Sequence, residues 1–106
     1  LGGILPLSTY FTITQGETDQ FSKYVSSGTD NLNVDLNWGY RQNSLSLTII
    51  APDATLGPYY DADDGVKDGR IRLSITKSGG IAPGTWNSWI YGQQMQGVED
   101  YTFIWS

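Results

Sequence analysis

Asn31-Leu32-Asn33-Val34-Asp35-Leu36-Asn37-Trp38 is the stretch that decides the fold. Leu, Val, Leu and Trp occupy every second position, and Asn or Asp fills each position between them. Side chains alternate across a β-strand, so this spacing builds a strand with one dry face and one wet face. A helix would need apolar residues both three and four apart, and no two apolar residues of this stretch are three apart.

The same alternation recurs in both directions. Ser44-Leu45-Ser46-Leu47-Thr48-Ile49 and Arg70-Ile71-Arg72-Leu73-Ser74-Ile75 repeat it, and Tyr101, Phe103 and Trp105 share a parity near the end of the chain. Phe21 and Val25 do so before it. Turn-forming residues separate these runs: Gly16, Ser27-Gly28-Thr29-Asp30, Gly39, Pro52-Asp53 and Ser78-Gly79-Gly80. The pattern predicts about eight strands over residues 10–15, 19–26, 31–38, 44–51, 57–60, 70–76, 85–91 and 100–105, with Gln93-Gln94-Met95-Gln96 as a short connection. Strands at this spacing, with no helical period between them, predict an all-β, antiparallel β-sandwich or barrel.

Composition agrees. The 106 residues suit one domain, and 13 Gly with seven Tyr, four Trp and three Phe suit a turn-rich β domain. Residues 1–8 read as a linker or boundary segment of a longer protein, which leaves 9–106 as the domain. No apolar run approaches the roughly 18 residues of a membrane helix. The chain has no Cys and no His. A disulfide framework, a thiolate metal site, a Ser-His-Asp triad and a His-containing zinc site are therefore excluded within these residues. A formal net charge of −5 disfavours nucleic acid and anionic membrane surfaces as partners.

Two groups of residues bear on function. Tyr60-Asp61-Ala62-Asp63-Asp64-Gly65-Val66-Lys67-Asp68-Gly69 carries four Asp within eight positions. Asp61, Asp63, Asp64 and Asp68 could supply oxygens to Ca²⁺, with Asp35 and Asp53 as remote ligands, yet Gly65 breaks the EF-hand register. The competing reading is a solvated turn that uses Asp and Gly for their backbone habits.

Parity sorts the aromatics. Trp38, Trp86 and Ile90 fall on the inner side, whereas Trp89 and Tyr91 fall on the opposite side of the strand carrying Trp86. With Tyr59, Tyr60 and also Tyr40, they form a candidate binding surface for sugar rings or polymer chains; the competing reading is scattered exposed aromatics or an interface with a neighbouring domain. Trp105 belongs with either set. Glu99 and Asp100 point to opposite faces and make a poor acid/base pair, and Glu17 with Asp19 lies at a turn. Arg70 and Arg72 are expected to pair with Asp across strands or on the surface. The chain is thus expected to be non-enzymatic.

Several of these stretches resemble the pre-peptidase C-terminal domain family, small β-sandwiches attached to secreted proteases and other extracellular proteins. The resemblance runs from residue 14 to residue 103. Gln15-Gly16-Glu17-Thr18-Asp19-Gln20-Phe21 is similar to the family's opening turn and second strand, and Leu32 to Trp38 to its L-x-V-x-L-x-W strand. Ser44 to Asp53 resembles the strand that closes on Pro-Asp, Pro83-Gly84-Thr85-Trp86 and Tyr91-Gly92 the ends of the penultimate strand, and Glu99 to Phe103 the terminal one. The chain departs from the family where Ser44 or Ser46 stands for an Asp and Ala54 for a Gly.

The resemblance implies a jelly-roll-like sandwich and non-catalytic work at the cell surface or outside the cell. It implies an accessory domain that attaches its parent to a polymer, an envelope or a protein partner, with Ca²⁺ sites in similar modules. The alternative is a structural or processing domain that aids secretion or folding of an attached enzyme and has no ligand of its own. As an isolated domain it is expected to be monomeric.

Overall fold

The computed structural model describes residues 11–40, 42–61 and 68–106. Eight strands follow one another: β1 (Phe11–Ile13), β2 (Thr18–Val25), β3 (Asn31–Asn37), β4 (Ser44–Ala51), β5 (Ala54–Tyr60), β6 (Arg70–Thr76), β7 (Gly84–Gln94) and β8 (Glu99–Trp105). They form two four-stranded antiparallel sheets, in the orders β1-β8-β3-β6 and β2-β7-β4-β5. Among these strands, only β4 and β5 are both consecutive and paired; every other connection passes from one sheet to the other. The architecture is an antiparallel β-sandwich, whose two inner faces supply the core.

The core follows the parity of the sequence. Leu32, Val34 and Leu36 of β3, Leu45, Leu47 and Ile49 of β4, and Trp86 and Ile90 of β7 are all buried. Trp38 lies one residue past β3 and continues its inner parity at 5 % exposure. Its indole N–H donates to the Asn43 carbonyl at 2.9 Å, so the ring enters the core without an orphaned donor. Trp86 does the same through the Ala82 carbonyl at 2.8 Å. Phe11, Phe21, Phe103 and Trp105 are partly buried against the core, and a chain of ring contacts at 4.9–5.3 Å links them. Trp105 is thereby assigned to the inner side.

Three strand ends differ from the sequence expectation by two residues or more, each for a local reason. The first strand ends at Ile13 because residues 14–17 form a turn, closed by Glu17 N–H to the Thr14 carbonyl at 3.1 Å. Strand β7 runs on through Gln93 and Gln94, which were expected in a connection. A register shift between Ser44 and Leu45 absorbs the extra residue. Strand β5 begins at Ala54, not at residue 57, because Pro52 and Asp53 make a two-residue hairpin with Ala51 paired to Ala54.

A bulge also hides β5 in the sequence. Ile49 pairs with Leu56 and Leu47 with Tyr59, so two residues, Gly57 and Pro58, stand opposite the single Thr48. The bulge rests on Gly57, whose φ is +96°. A β-carbon there would sit 2.8 Å from the Leu47 carbonyl oxygen, a place only glycine fits. The inward residues Leu56 and Tyr59 are consequently three apart, which breaks the period of two.

Asn43 holds one end of the sandwich together. It is 1 % exposed; its amide donates to Glu99 Oε1 at 2.9 Å, and its Oδ1 accepts the Gln96 N–H at 2.8 Å. It thus ties the start of β4, the start of β8 and the loop between β7 and β8. Replacing it by alanine leaves the buried Glu99 carboxyl without its partner, at about 1–3 kcal/mol, and removes the part-buried bond to the Gln96 N–H, at about 0.5–1.5 kcal/mol. Asn43→Ala is expected to cost about 2–4 kcal/mol in urea unfolding, with an unchanged slope; a loss under about 0.5 kcal/mol would contradict this role.

Candidate functional site

The outward side of the β2-β7-β4-β5 sheet brings three of the five predicted aromatics together. Tyr91 pairs with Thr18 on one side and Ser46 on the other, and Ser46 pairs with Tyr60. Thr18, Tyr91, Ser46 and Tyr60 therefore form one row across the four strands. The next row is Gln20, Trp89 and Thr48, with Pro58 of the bulge at its end. Trp89, Tyr91 and Tyr60 are 42 %, 40 % and 38 % exposed. Ser46, small and itself buried, lies between Tyr91 and Tyr60 and leaves a trough of about 360 Å³ there. Gln93 also lines it.

Tyr59 is a correction. It is partly buried against the core, and its partner in β4 is the buried Leu47. Adjacent strand residues face opposite ways, so Tyr60 outside puts Tyr59 inside. Tyr40 is 49 % exposed but lies in the connection between β3 and β4 and does not line the trough.

The trough is anchored on strands and braced at one end. Gly92 donates to the Glu17 carbonyl at 3.0 Å and accepts the Gly16 N–H at 2.9 Å. Gln15 donates to the Gln93 carbonyl at 2.9 Å and accepts the Met95 N–H at 2.8 Å. The 14–17 turn is thus bolted to the segment of β7 just after Tyr91. Rings carried on paired strands lose little freedom on binding.

The face is uncharged. Thr18, Gln20, Ser22 and Tyr24 of β2, Thr85, Asn87, Trp89 and Tyr91 of β7, Ser46, Thr48 and Ile50 of β4, and Thr55, Pro58 and Tyr60 of β5 face outward, and none of them carries charge. The outer face of the other sheet contrasts with it. There Asp35 accepts from Arg70 through both oxygens, at 2.9 and 2.6 Å, and Arg72 stands opposite Asp35 in the register. The Arg70 hydrogen bonds hold the Asp35 carboxyl below its ordinary range. The carboxylate proposed as a remote calcium ligand is therefore already matched by a guanidinium. Asp53 is likewise paired, with Lys77 at 3.1 Å.

Of the acidic loop, Asp61 and Asp68 belong to the described residues, whereas Asp63 and Asp64 lie outside them. Asp61 is 4 % exposed, and its two oxygens accept the Asp68 N–H at 3.1 Å and the Gly69 N–H at 2.8 Å. This carboxylate clasps the ends of the loop together. Calcium at the loop is a separate proposal with its own test, because a folded-state site raises the melting temperature by linkage. Addition of millimolar Ca²⁺ is expected to do so if the loop holds the ion, and an unmoved melting curve contradicts it.

The residues of the two acidic pairs are placed as follows. Glu99 is buried and bound to Asn43, while Asp100 faces solvent. Glu17 accepts the Thr14 N–H at 3.1 Å across its turn. Asp19 accepts the Tyr101 hydroxyl at 2.5 Å. Burial and the neighbouring Glu17 push the Asp19 carboxyl up, and Glu17 moves down as it accepts from Asp19.

Burial first, and the bond to Asp19 second, raise the Tyr101 phenol well above its usual value. An unfolded tyrosine ionises near about pH 10, while the folded one keeps its proton. Stability is thus present below that pH and lost as pH rises through it. The melting temperature is expected to fall above about pH 10, and less steeply in Tyr101→Phe. Equal slopes in the two proteins would contradict the assignment.

No protein-family model matches this chain, and no curated protein matches it.

Proposed function

We propose that this chain is a non-catalytic binding domain of a secreted or cell-surface protein, and that it attaches its parent to a polymer, an envelope or a partner through the outer face of the β2-β7-β4-β5 sheet. The observation that carries this reading is the gathering of Trp89, Tyr91 and Tyr60 around one trough on an uncharged face. Large rings exposed together on rigid strands are costly in water and useful to a ligand. Two further points support it. The orders β1-β8-β3-β6 and β2-β7-β4-β5, with connections that pass between sheets, support a jelly-roll topology. The motifs from residue 14 to residue 103 resemble the pre-peptidase C-terminal domain family, whose members work outside the cell as appendages.

Retention on insoluble polymers and on cell-envelope preparations tests the reading, with the Trp89→Ala/Tyr91→Ala double variant as the control. Retention by the native chain and its loss in the variant, at an unchanged melting temperature, is the expected result. Absence of retention on every matrix would favour a structural or processing domain without a ligand.

A further inference from the structure

We propose that the ligand of this face is a neutral polysaccharide, lying across the strands from β2 toward β5. The inference rests on the binding role assigned above and names the chemistry of its ligand. Three observations converge on it.

The first is charge. The chain carries 17 Asp, Glu, Lys and Arg side chains, 11 acidic and 6 basic, and none stands on the outward positions of these four strands. A sulfated or carboxylated glycan, or a nucleic acid, needs cations to replace its counterions, and a basic peptide needs carboxylates. Neither has a partner here. The opposite sheet, with Arg70, Arg72 and Asp35, shows that charge is tolerated on a solvated face of this sandwich.

The second is the mixture of groups. Rings and Pro58 alternate with hydroxyls and amides: Tyr91 beside Thr18 and Ser46, Trp89 beside Gln20 and Thr48. A protein partner calls for a contiguous apolar centre with a polar rim. A pyranose instead presents an apolar C–H face bordered by hydroxyls, and each ring here has such polar neighbours at its sides.

The third is shape. The row from Thr18 to Tyr60 crosses all four strands, and Tyr91 and Tyr60 stand two strand spacings apart, roughly 9–10 Å. The buried Ser46 between them keeps the floor low, so the trough is open along its length and suits a chain.

Native gel electrophoresis of the full chain in gels containing soluble polysaccharides tests this. The probes are hydroxyethylcellulose, mixed-linkage glucan, xylan and glucomannan as neutral chains, alginate and heparin as acidic ones, with gelatin as a protein polymer. Retardation by at least one neutral chain is expected, unaffected by added salt. The dissociation constant should rise by about tenfold or more in Trp89→Ala/Tyr91→Ala, and by less in Tyr60→Ala. The melting temperature should stay unchanged in both. Binding confined to gelatin, or salt-sensitive binding to alginate or heparin, that disappears in the double variant would overturn the polysaccharide and leave the binding face standing. No retardation by any probe, or retardation that the double variant keeps, would overturn both.

Discussion

Trp86→Ala should lower stability by about 3–5 kcal/mol, whereas Trp89→Ala, three residues along the same strand, should cost under about 1 kcal/mol. Trp86 is 2 % exposed, and its indole N–H donates to the Ala82 carbonyl. Its removal opens a cavity between the sheets and strips a partly buried carbonyl of its partner. Trp89 is 42 % exposed and faces solvent between Gln20 and Thr48. For a domain of this size, a loss of 3–5 kcal/mol is a large share of total stability. Urea unfolding of the two variants measures both numbers. Equal losses would mean that Trp89 is packed into the fold and would remove the central residue of the proposed surface.

The second large effect is on binding. In Trp89→Ala/Tyr91→Ala, two exposed rings on adjacent outward positions of β7 are lost, and the strand pairing with β2 and β4 is kept, since alanine donates and accepts the same ladder bonds. Truncating buried anchors of an interface costs about 2 kcal/mol or more, equal to roughly thirtyfold in affinity. The variant should therefore drop from measurable retention to none on a polymer column, with its thermal transition in place. A variant that melts early would place the rings in the fold; a variant that still binds would move the site elsewhere.

The strand arrangement was legible because burial dictates a period of two wherever one face is dry. Residues 31–38, 44–51 and 70–76 followed that rule, and Trp38, Trp86 and Ile90 went to the inside as parity required. The rule failed where the backbone inserts a residue. Strand β5 carries the bulge at Gly57 and Pro58, so Leu56 and Tyr59 share a face at an odd spacing. Tyr59 and Tyr60 were grouped although adjacent strand residues face opposite ways, and only the pairing of β5 with β4 shows which of the two faces out. Gln93 and Gln94 were missed in β7 because the register shifts beside Ser44.

The candidate site was legible only in part. Parity placed Trp89 and Tyr91 outside, but no local signal could bring Tyr60, about thirty positions earlier in the chain, next to them. That neighbourhood depends on β4 lying between β7 and β5, with Ser46 as the shared partner. The contributions of Ser46, Pro58 and Thr18 went unread for the same reason. Asn43 and Asp61 look like ordinary turn residues in the sequence, and it is their burial and their long-range hydrogen bonds that give them structural roles.

The outer face of the β2-β7-β4-β5 sheet is the proposed binding surface. Its most direct test is a titration of the ¹⁵N-labelled chain with a polymer that retains it, followed through the indole N–H resonances of its four tryptophans. The Trp89 signal should move or broaden together with the amides of Thr18, Ser46, Tyr60 and Tyr91, while Trp38 and Trp86 stay in place. Shifts gathered instead on Asn33, Asp35, Arg72 and Ile104, on the outer face of the opposite sheet, would contradict the account.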